Sequence, residues 1–322
     1  MLNGLRMTVP RYALVLFACL TVLNLSVDVI EKNNRARTLF RRSRLEPQSD
    51  IIFIGNSLIA TAIDNGVCVR LGKSCVELGL GSSQLPEHAA ILQEVISRGG
   101  GGDIVYGFMD MCLSEPTPDS WAGNRAVIFH LDHVDIPKEY GMTRLGRLKF
   151  HVWRSIPLLT YQDALWGKVE KLRRNIEDFS AHKTTPTNVF GRSADFSKME
   201  YGSSERFAGR IRTLMNQTTL LAPPVVRMLR DTNRAGRRLR FVLMPMTKAH
   251  RVAYYETPAW QAYFDRLRVE LEAYGARVES LDDTALDSDF MDAVHLGKTG
   301  ATRFTQRVLS ENVPSQRLTG GN

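Results

Sequence analysis

Ile51-Ile52-Phe53-Ile54-Gly55-Asn56-Ser57 is the first apolar run of the body of the chain with the turn that follows it. Four consecutive large apolar residues, three of them β-branched, read as a strand buried on both faces. The Gly-Asn-Ser that follows reads as a strand-to-helix turn, which sets Ser57 at the carboxyl end of that strand. A serine hydroxyl stays protonated at neutral pH and reacts poorly alone. It needs a histidine to take its proton and a carboxylate to orient the ring. The bland alternative is an ordinary turn with Ser57 as a helix N-cap.

Working outward, apolar runs alternate with amphipathic stretches. Val76–Leu78, Ile104–Phe108, Phe241–Met244 and Ala276–Leu281 read as further strands. Glu87–Ser97 has helical periodicity, with Pro86 before it and Gly99-Gly100-Gly101-Gly102 as a stop. Pro258–Tyr274 reads as a helix with Thr257 as N-cap, and Thr299–Leu309 as the closing helix. Strands alternating with helices predict an α/β fold, a parallel sheet covered by helices on both faces. Sites in such sheets lie at the carboxyl ends of the strands.

The second informative fragment is Asp292-Ala293-Val294-His295. Three residues apart, the aspartate and histidine fit on one turn. Alone, the pair reads equally as a solvated turn. Together with Ser57 they supply nucleophile, base and orienting carboxylate.

The order of these blocks resembles the SGNH (GDSL-like) hydrolase and acyltransferase superfamily, in which G-[DN]-S follows the first strand and D-x-x-H lies near the C-terminus. The stretch Asp289 to Gly300 looks like that closing block. The resemblance covers roughly residues 48–112 and 238–312. It implies a flavodoxin-like three-layer fold, with Ser57, Asp292 and His295 as catalytic residues and no cofactor or metal. It also implies oxyanion donors: the Ser57 amide and the amide of Gly81 or Gly79, in the loop after Cys75–Leu78. The usual oxyanion asparagine of a G-x-N-D block falls on Met109 in Gly107-Phe108-Met109-Asp110, and a thioether donates no hydrogen bond.

The 322 residues carry a net charge of +8, a balance suited to an anionic membrane surface or an acidic polysaccharide; no nucleic-acid motif accompanies it. Tyr12–Ile30 is apolar, preceded by Arg6 and Arg11, and reads as an uncleaved signal anchor, a transmembrane helix over about residues 12–30. Residues 31–48 form a basic connector. Its arginines argue for a cytoplasmic body by the positive-inside rule. Similar anchored proteins of the superfamily face the periplasm or cell exterior, and that orientation is the one expected. Cys68 and Cys75 flank the turn Leu71-Gly72-Lys73-Ser74 and read either as a disulfide in an oxidising compartment or as two buried thiols.

The domain expected is 49–312, with a helical insertion at about 113–237 that is rich in basic and aromatic residues, and a disordered tail at 313–322. The insertion reads as a lid or platform toward an anionic glycan or membrane, or as a plain solvated helical face. His130, Asp132, His133 and Asp135 within it read as a polar loop rather than a metal site. The resemblance implies a serine esterase or O-acyltransferase of the cell envelope, acting on a surface polysaccharide, with an acyl donor and a membrane-bound transfer partner left open. The competing readings are a non-catalytic partner of a polysaccharide export or modification complex, and a lipid esterase at the membrane.

Overall fold

The computed structural model describes residues 49–81, 83–99, 102–115, 142–156 and 204–310, together with short pieces between residues 14 and 27 and residue 159. The expected tail, the His130–Asp135 loop and most of the expected anchor lie outside the described residues. Among the described residues no helix is long and apolar enough to cross a membrane.

The chain divides into two compact units. One comprises Leu39–Thr117 with Pro186–Asn322 and holds the sheet; the other comprises Met1–Thr38 with Pro118–Thr185.

In the first unit the elements run β1 Ile51–Gly55, α1 Ser57–Ala62, α2 Asn65–Arg70, β2 Cys75–Gly79, α3 Leu85–Ser97 and β3 Asp103–Phe108. In the second unit lies α4, Arg144–Ser155. The first unit then resumes with α5 Ser204–Met215, α6 Pro223–Arg234, β4 Leu239–Leu243, α7 Pro258–Ala273, β5 Arg277–Ser280 and α8 Lys298–Ser310. Helices α5 and α6, in the stretch read as an insertion, therefore belong with the sheet.

The five strands are all parallel, in the order β2-β1-β3-β4-β5. This is the α/β sheet expected from the alternation of strands and helices. Every residue of β1 and β4 is buried: β1 as an unbroken apolar run in a sheet covered on both sides, and β4 with its one charged residue, Arg240, paired to Glu279 of β5. Helices α1 and α2 pack with α8, while α3 packs with α6. Right-handed crossovers between parallel strands place these two groups on opposite faces.

Local chemistry fixes the helix ends. Asn56, not Ser57, caps α1: its Oδ1 accepts the Leu58 amide at 2.9 Å. Glu87 accepts the Gln84 amide at the start of α3, and Pro86 sits in its first turn, where no amide is needed. Gly99, with φ +68°, ends that helix in the left-handed region. Thr257 caps α7 through the Trp260 amide. Cys68 of α2 and Cys75 of β2 are joined as a disulfide.

The strand ends that meet α1 carry glycines for a steric reason. A Cβ on Gly55 would lie 2.7 Å from Ile59 Cγ1, and one on Gly107 2.4 Å from Ile59 Cδ1. A Cβ on Gly79 would lie 2.4 Å from the Ala60 backbone nitrogen. Three neighbouring strands thus lack side chains where α1 seats, so the first turn of α1 lies tight against the carboxyl edge of the sheet.

Candidate active site

Strand progression reverses at β1: the chain steps from β1 to β2 on one side, then crosses back to β3 on the other. The carboxyl ends flanking such a switch form the crevice of open α/β sheets. Ser57, first residue of α1, stands at that edge.

Asp292 and His295 reach it on a short loop before α8. Phe290 and Leu296 pair as an antiparallel bridge, and the Met291 amide donates to the His295 carbonyl at 2.9 Å. Behind the loop, the buried Asp289 carboxylate accepts from Arg303 at 2.7 Å and from the Leu286 amide at 3.0 Å. A Cβ on Gly300 would meet the Asp289 carbonyl at 2.5 Å, so α8 approaches this loop closely because residue 300 lacks one.

The three predicted residues converge. His295 Nε2 lies 2.9 Å from Ser57 Oγ, and His295 Nδ1 lies 2.8 Å and 2.9 Å from the two Asp292 carboxylate oxygens. Asp292 Oδ1 also accepts the amides of Val294 and His295, at 3.0 and 2.8 Å. Burial raises the pKa of Asp292, but these hydrogen bonds and the imidazole outweigh it, so its carboxyl sits below the usual aspartate value. An ionised Asp292 can only accept. The proton of a neutral His295 ring therefore sits on Nδ1, and the Nε2 lone pair faces Ser57. The histidine and aspartate side chains are only 16% and 17% exposed, which shelters the pair from water without sealing it off.

The two glycines considered as oxyanion donors behave differently. The Gly79 amide donates to Glu77 Oε1 at 2.6 Å, which removes Gly79 from the donor set. A Cβ on Gly81 would lie 4.0 Å from Ser57 Cβ, which places this residue beside Ser57. Among the described residues the Gly81 amide has no acceptor. Met109 follows β3, half-buried, and accepts the Cys112 amide through its carbonyl.

Two histidine networks near these strand ends were not singled out from the sequence. Asp110, with φ +48°, accepts from His250 Nε2 at 2.9 Å and from the Tyr255 hydroxyl at 2.8 Å; its amide donates to that same hydroxyl at 2.9 Å. Aspartate tolerates the left-handed region better than most residues. His88, in α3, lies between Ser83 and the Tyr106 hydroxyl, at 2.6 Å from each. Burial drives His88 down to about 3 and the Tyr106 phenol well above its ordinary value, so both are neutral. Only Asp110 carried a signal, as the residue after Met109; the other partners are joined across separate elements. Burial also pushes the Cys112 thiol up to about 12, which makes it unreactive. A cavity of about 480 Å³ lined by Glu205, Phe207, Arg212 and Thr257 shares no residue with the triad. Among the described residues no cluster of three metal-ligating side chains occurs.

This Ser–His–Asp constellation on a parallel α/β sheet has the geometry of a nucleophilic hydrolase or transferase site. No family model matches the chain, and no curated protein does. Among solved structures it is similar to one from Streptococcus pneumonia, described as that of a candidate platelet activating factor. The TM-score is 0.39 and the identity 10%, over 91% of this chain and 98% of the other. Similarity at this level leaves the reading to the geometry of the site.

Proposed function

We propose that this chain is an SGNH-like serine esterase or O-acyltransferase of the cell envelope that modifies a surface polysaccharide through an acyl-serine intermediate. The observation that carries the reading is the single imidazole that bridges Asp292 and Ser57. His295 Nε2 takes the Ser57 proton as Oγ adds to the acyl carbonyl. The Ser57 and Gly81 amides stabilise the resulting oxyanion. His295 then returns the proton to the departing oxygen or sulfur, leaving the acyl ester on Ser57. A sugar hydroxyl, or water, attacks that ester by the reverse proton path. The donor class required is an activated acyl ester or thioester.

The envelope assignment is supported by the apolar Tyr12–Ile30 segment and by the Cys68–Cys75 disulfide, a bond that persists in oxidising compartments. The expected arrangement is a single-pass anchor in the cytoplasmic membrane with the sheet domain facing the periplasm or exterior. A C-terminal alkaline phosphatase fusion is then active. Activity only of a cytoplasmic reporter refutes that orientation.

The second reading is a non-catalytic SGNH-fold partner of a polysaccharide export or modification complex. Met109, at the place of the family's oxyanion asparagine, favours it. A fluorophosphonate probe separates the two: the enzyme reading expects a covalent adduct mapped to Ser57. Complete inertness of a folded wild type favours the partner.

A further inference from the structure

Leu80, Gly81 and Ser83 follow β2, and the hydrogen bonds among their described neighbours run in one sense only. Ser83 Oγ lies 2.5 Å from the Leu80 carbonyl oxygen and 2.6 Å from His88 Nε2. A carbonyl has no proton to give, so at 2.5 Å the serine must be the donor. Its hydroxyl proton is then spent on Leu80, and it must accept from His88 Nε2–H. A neutral His88 protonated at Nε2 leaves Nδ1 as acceptor for the Tyr106 hydroxyl at 2.6 Å. The chain of donors is Tyr106 to His88 to Ser83 to the Leu80 carbonyl. Ser83, His88 and Tyr106 are all buried, at 9%, 3% and 2% exposure.

The Leu80 carbonyl and the Gly81 N–H belong to the same planar peptide group. Whatever fixes the carbonyl fixes the direction of the N–H. The Leu80 amide donates to the Gly55 carbonyl at 3.1 Å, and the Ser83 amide adds a second, longer bond to the Leu80 carbonyl at 3.3 Å. Leu80 and Ser83 are therefore pinned to β1 on one side and to α3 and β3 on the other. Hydrogen bonds in series polarise one another, and withdrawal of electron density at the carbonyl makes the linked N–H a stronger donor.

We infer that Tyr106, His88 and Ser83 form a buried relay that orients and polarises the Leu80–Gly81 peptide as the oxyanion donor. They are positioning residues that act through Gly81; the inference rests on the acyl-transfer reading above. The relay supplies preorganisation at a site where Met109 cannot donate.

The test uses the full-length chain labelled with 15N at glycine and histidine, with Ser83→Ala, Ser83→Thr and Tyr106→Phe. The relay expects His88 to be a neutral ring protonated at Nε2. It expects the Gly81 amide resonance to move in Ser83→Ala and Tyr106→Phe and to return in Ser83→Thr. In parallel, phosphonylation of Ser57 by a fluorophosphonate slows about tenfold in Ser83→Ala, less than the hundredfold or more of deleting a donor outright. On an ester substrate the loss falls on kcat with KM unchanged, and Ser83→Thr recovers it. A Gly81 resonance unmoved by both removals, or His88 protonated at Nδ1, overturns the relay whether or not the protein is active. Where the wild type is phosphonylated, an unchanged rate in a folded Ser83→Ala also overturns it. If Gly81 responds as expected while wild-type Ser57 never reacts, the relay holds and the acyl-transfer reading falls.

Discussion

Two histidine–aspartate pairs stand near the carboxyl edge of this sheet, each closed by a 2.8–2.9 Å contact, and they differ in what lies beyond the imidazole. His295 pairs with Asp292 through Nδ1 and presents Nε2 to Ser57. His250 meets Asp110 through Nε2 and lies edge-on to the Tyr254 and Tyr255 rings, with its side chain only 1% exposed. Asp292 draws its other hydrogen bonds from its own loop, whereas Asp110 draws one from Tyr255, on a distant segment. The first arrangement leaves a base facing a hydroxyl. The second ties the end of β3 to the segment after β4. A histidine beside a carboxylate is therefore not by itself a catalytic device; the third group decides.

The comparison breaks most visibly at Ser57. Ser57→Ala should reduce acyl transfer by about a millionfold, with residual rate from oxyanion binding alone. His295→Ala should match it, while His250→Ala should leave the specific activity of the folded fraction within about tenfold of wild type. Active-site titration alongside kcat measures both; equal losses for the two histidines would end the distinction.

The carboxylates sharpen it further. Asp292→Asn should lower kcat by about 10⁴-fold with little change in denaturant midpoint, because the wrong tautomer then faces Ser57. Asp110→Asn should do the reverse and cost about 2 kcal/mol in chemical unfolding, since it disturbs a largely buried network. Next in size is Gly79→Ala. Its Cβ meets the backbone of α1 rather than a flexible side-chain tip, so about 3 kcal/mol of destabilisation is expected from urea unfolding.

A third histidine extends the comparison to pH. His88 is neutral in the fold with a pKa of about 3, against an ordinary value of 6.5. Between these values the unfolded chain binds a proton that the folded chain refuses. Stability is full above about pH 6.5 and falls as pH drops toward 3. The slope is at most about 1.4 kcal/mol per pH unit from this residue. His88→Gln should flatten unfolding free energy against pH in that window. Asp50, Asp64 and Asp292, whose carboxyls are lowered by hydrogen bonding, act only below their ordinary 3.8. An unchanged slope in the variant would show that His88 titrates alike in the folded and unfolded chain.

The smallest effect is expected at Met109. Met109→Asn should raise turnover of a small activated ester by up to about tenfold, if the new amide adds a donor to those of Ser57 and Gly81. Initial rates on such an ester decide it. No change in a well-folded variant would mean that position 109 does not face the oxyanion.

The sequence by itself determined what depends on near neighbours. Ile51–Ile54 is a strand because four such residues in a row have nowhere else to be buried, and the alternation that follows yields a parallel α/β sheet. Asp292 and His295 are legible as a pair because residues three apart share a turn, and the aspartate's bonds to the Val294 and His295 amides are made within that turn. The end of α1 shows the limit of such reading. Asn56 and Ser57 are both good capping types, and only the folded backbone makes Asn56 the cap and frees Ser57. Tertiary structure alone decided the contact between Ser57 and His295, 238 residues apart, and between His250 and Asp110, 140 apart. It also decided that the Gly79 amide is taken, because Glu77 turns back onto it, while among the described residues the Gly81 amide has no acceptor. These contacts carry no periodicity and no fixed spacing. They exist because glycine-lined strand ends let α1 settle against the sheet, and because a tight loop before α8 returns to the same edge.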